Sequence, residues 1–220
     1  MLPCTLVGVC LIVGVGRGLG LSLARRFGQG GYALALVARR AERLESYAGA
    51  LELDGYTARA YAADAASAGE LTRAVRQAER QLGPVEVLIY NAAASREGSL
   101  AELAPEALEA TLRVNLLGAL TAAQLVLPGM RARQRGTLLF TGEGLALNPE
   151  PHQGARAIGK AALRTMVGVL SKELYREGIH VATVTIAPHA PIDPDRIAEQ
   201  FWALHSQPPG RWQTEAIYRG

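Results

Sequence analysis

Gly14-Val15-Gly16-Arg17-Gly18-Leu19-Gly20 follows an apolar run directly and leads into the helical pattern LSLARRF. Glycines let a backbone turn tightly and come close to a ligand, while the N–H groups and positive dipole end of the next helix attract an anion. A glycine motif alone is weak evidence. Between a buried strand and a helix it predicts a strand-turn-helix unit in which Gly14, Gly16, Arg17, Gly18, Leu19 and Gly20 hold the diphosphate of a dinucleotide. The alternative is a glycine turn chosen only for close packing of strand against helix.

Downstream, β-rich runs near 5–13, 32–38, 57–62, 85–90, 136–141, 179–186 and 214–219 alternate with helical patterns near 18–29, 41–53, 67–82, 105–133, 155–177 and 194–205. Such alternation predicts a parallel sheet with crossover helices on both faces, because these connections are right-handed. The expected class is α/β: a single-domain, doubly wound Rossmann fold, three αβα layers around a mostly parallel seven-stranded sheet. At 220 residues and 49% hydrophobic content the chain suits one large core. No composition shift, repeat or low-complexity tract marks a boundary, so residues 1–220 read as one nucleotide-binding domain, with 188–220 as a C-terminal substrate-side segment.

The formal charge is +3 and the pI about 9.1, but the 23 Lys and Arg are scattered without runs or interleaved aromatics, which argues against a nucleic-acid partner. The apolar start, MLPCTLVGVCLIVGV, has no positive residue before Arg17 and no small-residue cleavage site, and it is too short to span a bilayer. A buried strand explains it better, so a cytoplasmic protein without membrane attachment is expected. Cys4 and Cys10 lie on that run, separated by roughly 20 Å at ~3.3 Å per residue, too far to pair with each other.

The second strand ends Val37-Ala38-Arg39-Arg40, with no carboxylate where an NAD-binding domain carries an acid for the adenosine ribose 2′-hydroxyl. Arg39, with Arg17 from the glycine loop, can instead clamp a 2′-phosphate through charge-assisted hydrogen bonds. This favours NADP(H) over NAD(H). The alternative, that Arg39 and Arg40 only solvate the start of a surface helix, suits Arg40 better than Arg39.

Taken in order, these motifs make the chain resemble the short-chain dehydrogenase/reductase family over nearly its whole length. Gly14-x-x-x-Gly18-x-Gly20 has the family's glycine spacing, and Asp64 with Ala65 falls after the third strand, where the family contacts adenine. Asn91-Ala92-Ala93 is similar to its Asn-Asn-Ala-Gly segment. By the same resemblance Asn115 matches the helix asparagine that holds a water in a proton relay, Lys160 the lysine that holds the nicotinamide ribose, and Pro188 a segment whose backbone faces the nicotinamide. Each has a structural alternative: Asp64 can cap the helix near Ser67, Asn91 can close a strand end, and Asn115 can satisfy a local helix irregularity.

The resemblance breaks at the reacting groups. The family uses a serine, a tyrosine and a lysine four residues beyond the tyrosine. Counting back from Lys160 puts Arg156 at the tyrosine position and Glu143 at the serine position. Carbonyl reduction needs a proton donor beside the developing alkoxide. An arginine remains a cation near neutral pH, so Arg156 can stabilise an oxyanion but exchanges protons poorly. Glu143 is a candidate general acid or base; equally, Glu143, Arg156 and Lys160 can form a salt-bridged cluster that fills the pocket. Asn115, Glu143, Arg156 and Lys160 are the candidate catalytic set, and no metal is expected. Thr141 adds a hydroxyl two positions off the serine register, and His152 and His189 lie in segments that border the nicotinamide end or are ordinary loop residues.

Three functions fit these residues. The first is an NADP(H)-dependent oxidoreductase acting on a small carbonyl or alcohol through a non-standard site. The second is a lyase or isomerase with Glu143 as base and Arg156 as electrophile, and the third an NADP(H)-binding sensor or partner subunit without turnover. Only Ile192-Asp193-Pro194-Asp195 separates Pro191 from the last helix, so an open substrate cleft is expected. Trp202 and Trp212 read as core or subunit packing. By resemblance, the helices at 105–133 and 155–177 pair subunits into a homodimer or homotetramer.

Overall fold

Residues 7–188 and 190–220 are described by the computed structural model; Cys4, the first residues of the expected opening strand and His189 lie outside them. Seven strands, β1 (Gly8–Val13), β2 (Tyr32–Ala38), β3 (Ala58–Ala62), β4 (Val85–Tyr90), β5 (Gly136–Glu143), β6 (Ile179–Ile186) and β7 (Glu215–Tyr218), pair in the order β3-β2-β1-β4-β5-β6-β7. Every pairing is parallel, where a mostly parallel sheet was expected. The helices are α1 (Leu19–Gln29), α2 (Ala41–Leu53), α3 (Ala68–Leu82), α4 (Pro105–Leu112), α5 (Gly118–Arg133), α6 (Gly154–Leu174) and α7 (Pro194–His205).

Layering explains why β1 is apolar without alternation. Val9, Leu11 and Val13 join the core under α3, α5 and α6, while Cys10 and Ile12 join the core under α1, α2 and α7. Both faces are covered, so each position gains from being apolar, at about 1.5–3 kcal/mol for a large side chain. Cys10 is a free, buried thiol whose pKa burial pushes up, which leaves it inert. α3 shows the local logic of a crossover helix. Leu71, Ala74, Val75 and Ala78 form its buried stripe, and the Ser67 hydroxyl accepts from Glu70 N at 3.3 Å to cap its start. α7 begins on Asp193, whose Oδ1 accepts from Asp195 N and Arg196 N, with Pro194 in the first turn.

The pattern over 105–133 predicts one helix, and the structure interrupts it. A π-helical turn, Arg113–Leu117, separates α4 from α5. At this turn the Tyr90 hydroxyl donates to Val114 O at 2.5 Å, and Gly118 lies against Ala65, where an added Cβ would come within 2.2 Å of the carbonyl oxygen. The extra residue accommodated there puts Asn115 inside, 1% exposed.

The two tryptophans pack within the chain. Trp202 meets Phe27 edge-on at 5.2 Å beneath the Arg26 guanidinium, and Trp212 stacks on His180 at 5.1 Å. His180 is near the start of β6, so Trp212 lies at the amino end of the sheet. Of the 188–220 segment, the part that returns to the carboxyl end is the terminus, where the Tyr218 hydroxyl donates to Pro191 O. The crevice that matters is at the carboxyl ends of β1 and β4, where the strand order reverses.

Candidate cofactor cleft and active site

A cavity of about 900 Å³ opens over that crevice, lined among others by Gly14, Gly16, Arg17, Arg39, Asp64 and Asn91. The glycines of the loop divide their work. Gly14 has φ +94°, and a Cβ there would come within 2.3 Å of Ala92 N; at Gly20 a Cβ would meet Val15 Cα at 2.8 Å. These two allow the protein to close on itself. At Gly16 and Gly18 a Cβ would meet nothing within 4 Å, so space is left above the loop. Gly18 caps α1 with no side-chain hydrogen bond and no acid in the first turn, so Leu19 and Gly20 begin the helix with nothing competing for an anion.

Arg17, Arg39, Arg40 and Arg43 all line this cavity, with Tyr47 one helical turn beyond Arg43 on α2. Among the described residues none of these four arginines is in an ion pair. Cations gathered without ion-pair partners make a positive field that an anionic ligand would neutralise. Arg43 and Tyr47 were not singled out in the sequence, although their i,i+4 spacing on the helix after Arg39 was a usable signal. Asp64 lines the same cavity but does not cap α3; its Oδ1 accepts from Ala66 N at 2.9 Å, and Ser67 is the cap. Ala65, Ala92 and Ala93 complete the lining beside it.

Hydrogen bonds tie the loop to the middle of the sheet. Asn91 donates from Nδ2 to Gly14 O at 2.9 Å, and its Oδ1 accepts from the Thr141 hydroxyl at 2.8 Å. Thr141 O in turn accepts from Lys160 Nζ at 2.7 Å. Lys160 is 4% exposed, and burial pushes its pKa down to about 8, with Glu143 opposing the shift and Arg156 adding to it. Asn115 closes a ring with Ala94, accepting from its N at 2.7 Å and donating to its O at 3.0 Å. Gly159 of α6 packs on that amide, where a Cβ would lie 2.9 Å from Nδ2.

At the tyrosine and serine positions, Arg156 donates from Nε to Glu143 Oε2 at 2.8 Å, and the side chains are 35% and 22% exposed. Lys160 forms no ion pair with Glu143, so the three-membered cluster envisaged from sequence is a pair with the lysine alongside. None of these three lines the 900 Å³ cavity; they stand at the end of β5 and on α6. Pro188 sits on the turn after Glu143, its Cδ 2.2 Å from where a Gly144 Cβ would be. His152 is exposed at φ +64°, and its carbonyl accepts from Gly98 N at 2.9 Å.

The short chain dehydrogenase family model matches residues 8–191. The 3-oxoacyl-[acyl-carrier-protein] reductase of Bos taurus is 31% identical over 176 residues, 80% of this chain and 73% of that protein. The 2,3-dihydro-2,3-dihydroxybenzoate dehydrogenase of Bacillus subtilis (strain 168) is 29% identical over 177 residues, 80% of this chain and 68% of that one. A solved metagenomic short-chain oxidoreductase in complex with NADP is similar at a TM-score of 0.91 and 25% identity, over 97% of this chain and 98% of that chain. The matched span runs from β1 past Pro188 and takes in the glycine loop, Asn91, Asn115 and Lys160, and the chain belongs to the short-chain dehydrogenase family.

Proposed function

We propose that this protein is an NADP(H)-dependent oxidoreductase acting on a small carbonyl or alcohol, with Glu143 and Arg156 in place of the serine and tyrosine expected of its family. The observation that carries the reading is the cavity: open space above Gly16 and Gly18, beside four arginines without acidic partners. A ligand with a diphosphate and a further phosphate fits that set, the loop N–H groups taking the first and Arg17 with Arg39 the second. The solved relative in complex with NADP supports this choice. Asp64 and Ala65 would border the adenine, and Lys160 and Pro188 the nicotinamide end.

When bound, the cofactor supplies or accepts a hydride at the carbon that changes oxidation state. The chain's own groups deal with oxygen and proton. Arg156 commits only Nε to Glu143, which leaves its terminal nitrogens as donors for a developing alkoxide. Lys160 adds a second cation, fixed on Thr141 O, and Glu143 or a water beside it moves the proton. The direct Glu143–Arg156 bond favours a second reading, a protein that binds NADP(H) without turnover.

Fluorescence titration of the protein with NADPH and NADH tests the shared premise. NADPH is expected to bind about tenfold tighter or more, a preference abolished in Arg39→Ala; equal affinities would remove the 2′-phosphate argument. A panel of carbonyls and alcohols followed at the nicotinamide absorbance band then separates the two readings. Turnover that disappears in Arg156→Ala and Glu143→Gln supports the enzyme, and tight binding without turnover supports the second.

A further inference from the structure

On β5, Thr141 is bonded to both halves of the site, and it uses a different atom for each. Its hydroxyl donates to Asn91 Oδ1 at 2.8 Å, and its carbonyl accepts Lys160 Nζ at 2.7 Å. Since Asn91 Nδ2 reaches Gly14 O at 2.9 Å, three bonds connect the glycine loop, the end of β4, the end of β5 and α6 without a gap. Thr141 is 9% exposed and follows Leu138, Leu139 and Phe140, so an aliphatic residue would suit its surroundings. A buried hydroxyl in such a strand is unfavourable unless it is paired.

The chemistry of an amide gives the chain its direction. The oxygen only accepts and the NH₂ only donates, so the Gly14 carbonyl selects Nδ2 and leaves Oδ1 facing β5. Among the described residues the donor to Oδ1 is the Thr141 hydroxyl. Gly14 has little freedom to follow if the amide turns, because its left-handed backbone already lies against Ala92.

We propose that Thr141 is a positioning residue: its hydroxyl fixes the orientation of the Asn91 amide, and through it the seat of the glycine loop, while its carbonyl holds the Lys160 ammonium. One residue thereby sets the diphosphate end of the cleft relative to the lysine end. The inference rests on the NADP(H) reading above.

The test is NADPH titration, with a thermal melt on each protein, for the wild type, Thr141→Val, Thr141→Ser, Asn91→Ala and the Thr141→Val/Asn91→Ala pair. Thr141→Val keeps shape and backbone but removes the donor, and is expected to weaken NADPH binding about tenfold, the loss typical of an orphaned buried acceptor. Thr141→Ser is expected to stay within about twofold of wild type, and the double variant to be no weaker than Asn91→Ala, because the hydroxyl acts through that amide. If the valine variant melts too low to titrate, Thr141→Ala removes the same hydroxyl and must show the same weakening. Unchanged binding in the hydroxyl-free variants, a serine variant as weak as the valine one, or losses that multiply in the double variant would each overturn the proposal. Wild-type protein that binds no NADPH would overturn the cofactor reading and this inference together, whereas normal wild-type binding with an indifferent Thr141→Val overturns this inference alone.

Discussion

Lys160 carries its ammonium in a place that burial makes expensive. Its pKa is pushed down to about 8 from 10.5, chiefly by desolvation, with Arg156 adding to the shift and Glu143 opposing it. Between those values the unfolded chain binds more protons than the folded one, so this group makes stability rise with pH from about 8 to about 10.5, and below 8 its full penalty is present. Lys160→Met keeps the length of the side chain and removes the charge. Urea unfolding of both proteins at pH 7.5 and pH 10 is expected to show the variant the more stable at the lower pH, by up to about 3 kcal/mol, with the gap narrowing at the higher. A variant less stable than wild type at pH 7.5 would mean that the bond to Thr141 O outweighs desolvation. Its neighbours behave differently. The Glu143–Arg156 pair is partly exposed, so Arg156→Ala should reduce stability by only about 1 kcal/mol in the same assay. A far larger loss of turnover in that variant would assign the guanidinium to chemistry rather than to holding the fold.

At the scale of elements, the π turn between α4 and α5 and the amino end of the sheet make separate demands. Gly118 follows the turn at a point where a Cβ would lie 2.2 Å from Ala65 O and 2.5 Å from the Tyr90 hydroxyl, both held in the core. Gly118→Ala is therefore expected to lower stability by about 3 kcal/mol and to disturb Asn115, visible as a lower melting temperature together with weaker NADPH binding. At the opposite end, His205 bridges the Tyr32 hydroxyl at 2.8 Å and the Thr137 hydroxyl at 3.0 Å. Burial, followed by the charges of His180 and Arg135, lowers its pKa to about 4, and burial lowers that of His180 too. Unfolded histidines take up protons near 6.5, so acidification from about 6.5 to about 4 favours unfolding. His205→Gln should flatten that loss in urea melts at pH 7 and pH 5; an unchanged pH dependence would remove His205 as its source. Strand and helix positions were legible in the sequence because layered burial writes itself into apolar runs and 3.6-residue stripes. The π turn was not, since the bond from Tyr90 to Val114 that accompanies it is a tertiary contact invisible to local periodicity. The candidate site divides the same way. Glycines, Arg39, Lys160 and the two replacements could be read by spacing, whereas the Thr141 hydroxyl finds Asn91 only through the β4–β5 register that pairs Tyr90 with Phe140.

Across the whole molecule the net charge of +3 is too small and too dispersed to draw an anion strongly, yet four arginines without acidic partners meet at one mouth. Elsewhere several arginines are neutralised on the spot, as Arg113 is by Glu109 and Arg131 by Glu177. The attraction is therefore local, and salt should screen it over a Debye length of about 10 Å at 0.1 M. NADPH affinity is accordingly expected to fall more steeply with ionic strength than NADH affinity, because only the former adds a phosphate beside Arg17 and Arg39. Titrations of both nucleotides between about 0.03 and 0.3 M KCl measure the two slopes, a range over which that length shrinks about threefold. Arg43→Ala should reduce the NADPH slope while leaving that of NADH nearly unchanged, which would place Arg43 in the field around the extra phosphate. Arg113→Ala removes an equal charge at an ion pair outside the mouth and should alter neither slope. Parallel slopes for the two nucleotides would mean that the arginine mouth does not read the phosphate, and equal effects of Arg43→Ala and Arg113→Ala would mean that net charge rather than its placement governs binding.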